Sequence, residues 1–378
     1  MSAGVKEFQG LRIALVGPLP PPAGGMANQT RQLAELLRGE GATVELVQTN
    51  PGYRPAWVAR WVGVRAVFRL LPYLWALWRA AGRNQVFHVM ANSGWSWHLF
   101  AAPAVWIARL RACPVLVNYR GGEAEAFLQA QSLLVGFSLR RTQVVLVPSG
   151  FLQQVFAKFG FESQQLANVV NLQRFKPAPP TELQSQQASP RLLVARNLEA
   201  LYDNASAIRA LVSVRQRFPD TVLIIAGTGP EEGNLKALVA SLGLAESVRF
   251  VGRLDPEGMA AAYRSCTISL NPSLADNMPN SVLESLASGV PVVSTNVGGV
   301  PFLVRDEEHA LLVAPRNPEA MAAAILRLLE TPTLYEQLKR AGLAHVQMFT
   351  WARIGPKLAA HYLKLIGEPR GAAPSPRT

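Results

Sequence analysis

The stretch "CTISLNPSLADNMPNSVLESLASGVPVVST", residues 266–295, joins a short apolar run, a turn, a helical segment and a second apolar run. A helix is predicted to begin after Pro279, because proline fixes φ and is well suited to the start of a helix. Asp276 lies in the turn, and Glu284 lies about one turn inside the helix. The order strand, helix, strand predicts a βαβ unit with two parallel strands.

The same unit recurs on both sides of this stretch. Most predicted strands are continuous Val, Ile and Leu runs, as expected of parallel strands buried on both faces. They span 12–17, 43–49, 86–91, 114–119, 144–149 and 167–171, then 191–195, 221–227, 248–252, 266–272, 291–295 and 310–315. We therefore predict an α/β protein with two doubly wound, Rossmann-like domains that face each other across a cleft.

A segment without periodicity separates the two halves. Residues 174–190 are rich in Pro, Gln and Ser, which predicts a linker. The N-terminal domain is then 1–173 and the C-terminal domain is 191–350. Residues 351–368 are predicted to form a last helix that packs back on the N-terminal domain, and 369–378 to form a flexible tail.

The composition is that of a folded globular chain. Its residues are 49% apolar and 16% charged. At 378 residues the chain is too long for one compact core. Cys113 and Cys266 lie far apart in apolar runs, so we predict core thiols rather than a disulfide framework or a zinc site. The sequence opens without an apolar signal region, and 84–108, its longest uncharged stretch, contains Pro103 and several polar residues. We expect a cytoplasmic protein without a membrane-spanning helix.

The net charge of +12 is concentrated in the first half. Residues 46–122 contain no acidic residue, nine arginines and seven of the eight tryptophans. Interleaved Trp and Arg along 53–83 are typical of a helix at a membrane interface, so we expect attraction to an anionic membrane surface. A pair of core-packed helices with solvated arginines is an equally good interpretation. Nucleic acid is not expected as a partner, because no known reading motif is present.

The turns after the strands exclude several kinds of site. Gly227, Gly229 and Gly233 are spaced one residue too widely for a dinucleotide fingerprint, and the next strand ends in Gly252 and Arg253 rather than an acid. The sequence contains no Asp-x-Asp pair, no P-loop and no Gly-x-Ser-x-Gly elbow. We therefore expect neither a nicotinamide cofactor nor the usual metal site of sugar-nucleotide enzymes.

Asp276 and Glu284 fit a different kind of site. Ligands bind beyond the carboxyl ends of the strands in open α/β sheets, where both acids are predicted to point. One carboxylate suits a ribose and the other a sugar, while amides of the helix's first turn suit a diphosphate. Gly24 and Gly25, just before the first helix, would let the backbone approach a phosphate. The alternative is that the two acids only complement the helix dipole.

The stretch "ADNMPNSVLESLASGVPVVSTNVGGVPFLV" resembles the E-x7-E segment of the retaining family 4 glycosyltransferases, which have the GT-B fold. "VPSGFLQQVFAKFGF", "NVVNLQRFKP", "LIIAGTGPE", "VRFVGRL" and "ALLVAPRNPEAMAAAILRLLE" match further family segments in the expected order. The resemblance implies a hexosyltransferase that uses a nucleotide-diphosphate sugar and requires neither metal nor cofactor.

The resemblance also implies residue roles. Glu284 would hold the nucleotide ribose, Asp276 would be a catalytic residue that contacts the donor sugar, and Arg196 would pair with the diphosphate. The remaining donor-binding positions that it implies are Gly24, Gly25, Arg253, Asn277, Met278, Pro279 and Ser281.

Three positions depart from the family pattern. Asp276 stands where Glu is usual, no Lys follows Arg196 in "ARNLEALYDN", and Arg120 follows "PVLVNY" where a His is often found. Because a guanidinium is always charged and binds phosphate through two N–H groups, Arg120 could replace both missing groups as a catalytic residue. The two glycines after it favour this role, since packing does not readily explain them. The alternative is a surface arginine paired with Glu123 or Glu125.

Two functions follow from these residues. The first is retaining transfer of a hexose to a glycan or lipid-linked acceptor at the inner membrane face, in polysaccharide or glycolipid assembly. No residue stands out as a covalent nucleophile, so the leaving phosphate would itself help to deprotonate the acceptor. The second is a non-catalytic GT-B binding scaffold, which the missing His and Lys favour.

Overall fold

A computed structural model describes residues 7–21, 24–52, 62–179 and 189–367, with the backbone alone between 62 and 67. Most of the predicted linker, the predicted tail and residues 53–61 of the Trp- and Arg-rich segment lie outside the described residues. The chain divides into two units: the first runs to Ala167 and resumes at Ala352, and the second is Asn168–Trp351. Residues 168–173, assigned above to the first domain, belong to the second unit.

The first unit contains a parallel sheet of six strands in the order β2-β1-β3-β4-β5-β6. The strands are β1 (Arg12–Gly17), β2 (Thr43–Gln48), β3 (Val86–Ala91), β4 (Val115–Tyr119), β5 (Val144–Val147) and β6 (Gln164–Gln165). Its helices are α1 (Gly25–Gly39), α2 (Val62–Arg83), α3 (Ala102–Leu110), α4 (Ala124–Leu139) and α5 (Gly150–Lys158), and a π-helical turn, Trp97–Ala101, leads into α3. Every residue of β3, β4 and β5 is buried, as the continuous apolar runs predicted.

The second unit repeats this architecture with the strand order β12-β11-β10-β7-β8-β9. Its strands are β7 (Arg191–Val194), β8 (Val222–Ala226), β9 (Val248–Gly252), β10 (Ile268–Asn271), β11 (Val292–Thr295) and β12 (Leu311–Val313). Its helices are α6 (Asn204–Arg217), α7 (Glu232–Ser241), α8 (Pro256–Ser265), α9 (Asn280–Ala287), α10 (Val300–Leu303), α11 (Pro318–Glu330) and α12 (Pro332–His345). All neighbouring strands are parallel.

One predicted strand is wrong. Residues 167–171 form no strand, and the sixth strand of the first sheet is instead the short pair Gln164–Gln165 beside β5. The backbone of 167–171 is used elsewhere: the N–H of Val170 donates to the carbonyl oxygen of Phe349 at 2.9 Å. The apolar run therefore crosses into the second unit instead of extending a sheet.

The last helix, α13 (Trp351–Gly367), belongs to the first unit from Ala352 onward. Its Tyr362 is fully buried and packs edge-on against Phe8, with ring centroids 6.0 Å apart. A helix from the end of the chain thus packs into the first unit, where its Tyr362 also contacts His88 of β3.

Candidate functional site

The candidate site of the second unit lies at the point where its strand order reverses. The chain runs from β7 through β8 to β9 and then returns to β10, on the other side of β7. The turns that leave β7 and β10 therefore diverge above adjacent strands, and open α/β sheets bind ligands at such points. Arg196 follows β7 and Asp276 follows β10. The topology brings these two residues together.

Arg196 is held by three side chains. Its Nε–H donates to Oδ1 of Asn271 at 2.8 Å, its guanidinium forms an ion pair with Asp276, and it lies over the Tyr202 ring, 5.0 Å from the centroid. The side chains of Arg196 and Asp276 are only 12% and 13% exposed. Burial lowers the pKa of Arg196, and the nearby charge of Glu284 opposes that shift. The pair is therefore a largely buried, charged contact at the centre of the site.

The turn that carries Asp276 is tightly fixed by a pair of glycines. The N–H of Gly299 donates to the carbonyl oxygen of Asp276 at 2.8 Å, and Oδ1 of Asp276 accepts from the N–H of Asn277 at 3.0 Å. A Cβ on Gly298 would lie 2.2 Å from the Asp276 carbonyl oxygen, and one on Gly299 would lie 1.8 Å from that of Asn277. Only glycine fits at either position, so the Gly-Gly pair lets two loops approach closely enough to set the carboxylate.

Glu284 lies on α9, where its charge is coupled to that of Arg196. The hydroxyl of Tyr263 is shared between this carboxylate and the carbonyl oxygen of Ser281, at 3.1 Å from the latter. Burial raises the pKa of Glu284 to about 7, although the Tyr263 hydrogen bond and the charges of Arg196 and Arg174 lower it. Glu284 is thus only partly ionised at neutral pH, and hydrogen-bond donors from a ligand would favour its carboxylate form.

The start of α9 has the features of an anion site. Pro279 precedes the helix in an extended conformation, and Nδ2 of Asn168 donates to the carbonyl oxygen of Met278 at 2.9 Å and to Oδ1 of Asn280 at 2.7 Å. Ser281 is 8% exposed, and its Oγ has no hydrogen-bond partner among the described residues. A buried hydroxyl of this kind, at the N-terminus of a helix, is suited to a bound anion.

Arg253 lies apart from this cluster. It is exposed and follows the edge strand β9, and β8 separates it from β7 and Arg196. The glycines after β8 have a packing role, because a Cβ on Gly227 would lie 1.9 Å from the carbonyl oxygen of Arg196. Gly227 and Gly229 thus allow the close approach of the turn that carries Arg196, whereas a Cβ on Gly233 would meet nothing within 4 Å.

In the first unit, Gly24 and Gly25 begin α1. Gly24 is the N-cap residue, with φ of −160° and ψ of 167°, and a Cβ on either glycine would meet nothing within 4 Å. No close packing within the described residues requires these glycines, in contrast to Gly298 and Gly299.

Arg120 follows β4 and is partly buried. Its Nε–H donates to Oδ1 of Asn118 at 2.8 Å, and its NH1 group donates to Oε1 of Gln29, on α1, at 3.4 Å. Burial lowers its pKa to about 10, so the guanidinium stays charged at neutral pH. Glu125, one of the two partners considered above, forms an ion pair with Lys158. The structure therefore places Arg120 beside the helix that Gly24 and Gly25 begin.

Packing explains one of the two glycines after Arg120, contrary to the expectation that it explains neither. A Cβ on Gly121 would lie 2.3 Å from Oγ of Ser93 and 2.7 Å from the hydroxyl of Tyr119, so packing alone requires glycine there. A Cβ on Gly122 would meet nothing within 4 Å. Only Gly122 remains unexplained by packing.

Two residues of the site were not predicted from the sequence. Asn271 is 1% exposed at the carboxyl end of β10 and anchors Arg196, while Tyr263 is fully buried on α8 and bonds Glu284. An amide that ends an apolar strand next to the reversal point is a signal for Asn271, since buried polar groups are hydrogen-bonded. Tyr263 carries no such signal, because a tyrosine on an amphipathic helix is ordinary core.

Two kinds of feature are missing from the described part of the chain. No group of three or more His, Cys, Asp and Glu side chains there could hold a metal ion. Nor is any helix in the described ranges long and apolar enough to cross a bilayer.

Both halves of the chain match glycosyltransferase families. Residues 190–331 match "Glycosyl transferases group 1", and residues 24–171 match "Glycosyl transferase 4-like domain". The two matches together cover well over half of the chain. They include Arg196, Asp276 and Glu284 in one case and Arg120 in the other.

Curated relatives are similar to different extents of the chain. A phosphatidyl-myo-inositol mannosyltransferase from Mycobacterium leprae is 25% identical over 371 residues, which is 93% of this chain and 96% of the relative. A D-inositol 3-phosphate glycosyltransferase from Acidothermus cellulolyticus is 34% identical over 191 residues, or 48% of this chain. The chain spans only 42% of the length of that relative.

Solved structures share the fold over nearly the whole chain. Sucrose-phosphate synthase from Thermosynechococcus elongatus gives a TM-score of 0.73 at 22% identity, covering 94% of this chain and 99% of its own. Anabaena HepE in complex with UDP-glucose gives 0.73 at 17% identity, covering 93% and 99%. At these identities the likeness shows the fold, and the predicted family and fold are both confirmed. The chain is a member of the family 4, group 1 glycosyltransferases and has the GT-B fold.

Proposed function

We propose that the protein is a retaining glycosyltransferase that moves a hexose from a nucleotide-diphosphate sugar to an acceptor at an anionic membrane face. One observation carries the proposal: Arg196, Asp276 and Glu284 meet at the reversal point of the second sheet, next to the N-terminus of α9. A cation and helix amides suit the diphosphate, and two carboxylates suit hydroxyl groups. Since Anabaena HepE was solved with UDP-glucose, the uridine compound is the first donor to test.

The diphosphate would be bound by Arg196, the amides at the start of α9 and the hydroxyl of Ser281. Arg196 is already paired with Asp276, so the phosphate would have to share the guanidinium with that carboxylate. Its Nε–H stays on Asn271, which leaves the terminal nitrogens of the fork for anions. The backbone of Asn277, Met278 and Pro279 would contact the sugar.

Glu284 would hold the ribose. Its carboxylate receives one hydrogen bond, from Tyr263, and two ribose hydroxyls would supply further donors. Such donors lower the pKa of a buried acid, so nucleotide binding would ionise Glu284 fully. Arg253, at the exposed edge of the sheet, would border the base.

The chemical step would be a same-face substitution. Asp276 is a poor candidate for a covalent nucleophile, because one carboxylate oxygen accepts from Asn277 and the carboxylate is also paired with Arg196. The leaving phosphate would deprotonate the acceptor hydroxyl, and the protein would neutralise its charge. Arg120 would supply a second guanidinium, and Gly24 and Gly25 would leave room for phosphate at α1. With two arginines the scheme needs no metal, and transfer should persist in the presence of a chelator.

The acceptor side would lie on a membrane. Phe68, Leu71, Trp75 and Trp78 are exposed along one face of α2, while Tyr73 and Leu77 are buried on the other. Further exposed apolar side chains are Leu110 at the end of α3 and Leu133, Leu134 and Phe137 on α4. We call these eight exposed residues the apolar patch.

Arginines flank the apolar patch. Arg79 lies over the ring of Trp75 at 4.5 Å, Arg111 over that of Trp78 at 4.8 Å, and Arg141 over that of Phe137 at 3.9 Å. Exposed aromatic rings next to cations are suited to the interface of an anionic bilayer. A lipid-linked or glycolipid acceptor at the cytoplasmic face would fit this surface, in the assembly of a cell-surface polysaccharide or glycolipid.

The test of the activity is sugar transfer from labelled nucleotide sugars to anionic membrane lipids, with donor hydrolysis measured in parallel. We expect transfer by the parent protein and its loss in Asp276→Asn. The alternative function is a binding scaffold of the same fold, favoured by the absence of the usual His and Lys. Nucleotide binding without either transfer or hydrolysis would support the scaffold.

The membrane surface is tested separately by flotation with vesicles of phosphatidylcholine alone or with added phosphatidylglycerol. We expect flotation with the anionic vesicles that weakens at high salt and is lost in Trp75→Ser/Trp78→Ser. Met348→Ser is the matched control, because Met348 is 63% exposed in the second unit. Equal recovery with neutral and anionic vesicles would contradict membrane recruitment by charge.

A further inference from the structure

A row of buried polar side chains leads from the last helix to Arg120. The hydroxyl of Tyr362, on α13, lies 2.6 Å from Nδ1 of His88, on β3. Nε2 of His88 lies 3.1 Å from Nδ2 of Asn118, on β4, and Oδ1 of Asn118 accepts from Nε–H of Arg120 at 2.8 Å. Tyr362, His88 and Asn118 are all 0% exposed. These residues are buried away from water, so their hydrogen-bond partners are one another.

The positions of the hydrogen atoms along this row can be deduced by starting from Arg120. Nε–H of Arg120 can only donate, so the atom of Asn118 that faces it must be the oxygen. The amide nitrogen of Asn118 must then donate to His88, whose Nε2 has to carry a lone pair. Neutral His88 therefore carries its proton on Nδ1, which donates to the hydroxyl oxygen of Tyr362. Arg120 thus fixes the amide orientation of Asn118 and the tautomer of His88.

We propose that Tyr362, His88 and Asn118 are positioning residues that hold the guanidinium of Arg120 in one orientation for the donor. This inference rests on the function proposed above for Arg120. Asn118 supplies the contact, His88 keeps the Asn118 amide from turning over, and Tyr362 keeps the His88 ring in place. The orientation of a guanidinium matters because its planar fork binds a phosphate through two N–H groups at once.

The protonation state of His88 agrees with this arrangement. Burial and the charge of Arg120 lower its pKa to about 3, so the ring is neutral at every pH at which the protein would be assayed. A protonated ring would direct a second N–H at the Asn118 amide and place a cation near Arg120. The row therefore has a single low-energy arrangement, and a group held this way loses little freedom when it binds.

The first experiment reads the His88 tautomer by nitrogen NMR of the full chain with labelled histidine. We expect His88 to be neutral, with a protonated Nδ1 and an unprotonated Nε2. In Arg120→Met, the Asn118 amide can turn over and accept from Nε2–H, so the resonances should shift toward the other tautomer. An unchanged His88 tautomer in Arg120→Met would overturn the proposal, even if that variant had lost all transfer activity.

The second experiment compares two buried tyrosines of the first unit. Tyr362→Phe removes the partner of His88, and we expect kcat to fall about three- to tenfold with a smaller change in donor KM. Tyr73→Phe is the control, because the buried Tyr73 hydroxyl donates a hydrogen bond to the carbonyl oxygen of Phe100 at 2.8 Å, outside the row. Equal losses of kcat in the two variants would mean that Tyr362 only stabilises the fold.

A third pair of variants tests Asn118 itself. Asn118→Leu removes the acceptor of Arg120 and should lower kcat, whereas Asn118→Asp keeps the acceptor and should restore most of it. In Asn118→Asp the carboxylate accepts from both neighbours, so His88 should carry its proton on Nε2. The tautomers could respond as expected while Arg120→Ala transfers sugar at the parent's rate. That result would contradict the role of Arg120 in the reaction and leave its coupling to His88 standing.

Discussion

Two arginines, one in each unit, are anchored in the same way and compensated differently. Each follows a buried parallel strand, and each donates its Nε–H at 2.8 Å to the side-chain oxygen of a buried asparagine, Asn118 for Arg120 and Asn271 for Arg196. Arg196 is then paired with the carboxylate of Asp276, whereas Arg120 also donates to the neutral amide of Gln29. The same arginine–asparagine hydrogen bond therefore accompanies an ion pair in the second unit and a row of amide and imidazole groups in the first.

The two arginines show two ways in which a guanidinium can be held in position for an anionic ligand. The Arg196–Asp276 pair is largely buried, so removing one partner leaves a charge that the protein solvates poorly. The Arg120 fork, by contrast, donates hydrogen bonds to the neutral side-chain amides of Asn118 and Gln29. Losing a neutral hydrogen-bond partner costs less than leaving a buried charge unpaired, so we expect substitutions at Arg196 to reduce stability more than substitutions at Arg120.

The largest effect is expected from Arg196→Ala. It leaves the Asp276 carboxylate unpaired and removes a phosphate ligand, so turnover should fall roughly 10²–10³-fold and the free energy of unfolding by about 3 kcal/mol. Transfer assays and urea denaturation measure the two quantities. Adding Asp276→Asn should restore much of the stability and none of the turnover. A single variant with the parent's stability would show that the pair is not a buried charge pair.

The next effect is that of Arg120→Lys, which keeps the charge and removes the fork. Losing one charge-assisted hydrogen bond of about 1.5–3 kcal/mol corresponds to a decrease in turnover of roughly 10- to 100-fold. The free energy of unfolding should fall by about 1–2 kcal/mol, because lysine leaves the buried Oδ1 of Asn118 without its donor. Arg191→Lys is the control, because Arg191 is exposed at the amino end of β7, whereas Arg120 follows the carboxyl end of β4. Turnover within about twofold of the parent would place Arg120 outside the reaction.

A smaller effect concerns Glu284 and pH. Its pKa is raised from 4.5 to about 7 in the folded protein, so the carboxylate that would hold the ribose is mostly protonated at pH 6 and mostly ionised at pH 8. UDP should therefore bind about tenfold more tightly at pH 8 than at pH 6. In Glu284→Gln, binding should be weaker and lack this increase. Calorimetry at both pH values makes the comparison, and parallel profiles for parent and variant would contradict it.

The same pKa shift has a consequence for stability. The unfolded chain releases the Glu284 proton near pH 4.5 and the folded chain near pH 7, so folding takes up a proton between these values. The contribution of Glu284 to the free energy of unfolding should fall as the pH rises through this window, by up to about 1.4 kcal/mol per pH unit. Glu284→Gln should flatten that decline in a series of denaturation curves.

The sequence was sufficient for the sheets and for the ends of the strands where the site lies. Continuous apolar runs predicted eleven of the twelve strands, because parallel strands buried on both faces tolerate little else. The run at 167–171 failed because its backbone pairs with Phe349, a contact that no local pattern encodes. Apolar periodicity identifies a buried segment but not the partner that buries it.

The site was predictable only to the level of single turns. Asp276 and Glu284 could be named from their positions around Pro279, but the pairing of Asp276 with Arg196 depends on the strand order of the sheet. At Gly121 the sequence suggested a functional role that is not needed. Glycine is required there because Ser93 and Tyr119 approach the backbone closely. Contacts between side chains of distant turns are set by packing, which the sequence pattern does not show.

The smallest effect is expected at Arg253, an exposed arginine that contrasts with the two buried ones. It follows the edge strand β9, where water and salt screen its charge. Exposed ion pairs are worth about 0.2–1 kcal/mol, so Arg253→Ala should weaken UDP binding by no more than about fivefold. The loss should shrink further at high salt, whereas the loss in Arg196→Ala should persist. Calorimetry at low and high salt measures both. A large, salt-independent loss in Arg253→Ala would mean that the edge of the sheet closes over the base and buries this guanidinium, and burial rather than charge alone would then decide how much each arginine contributes.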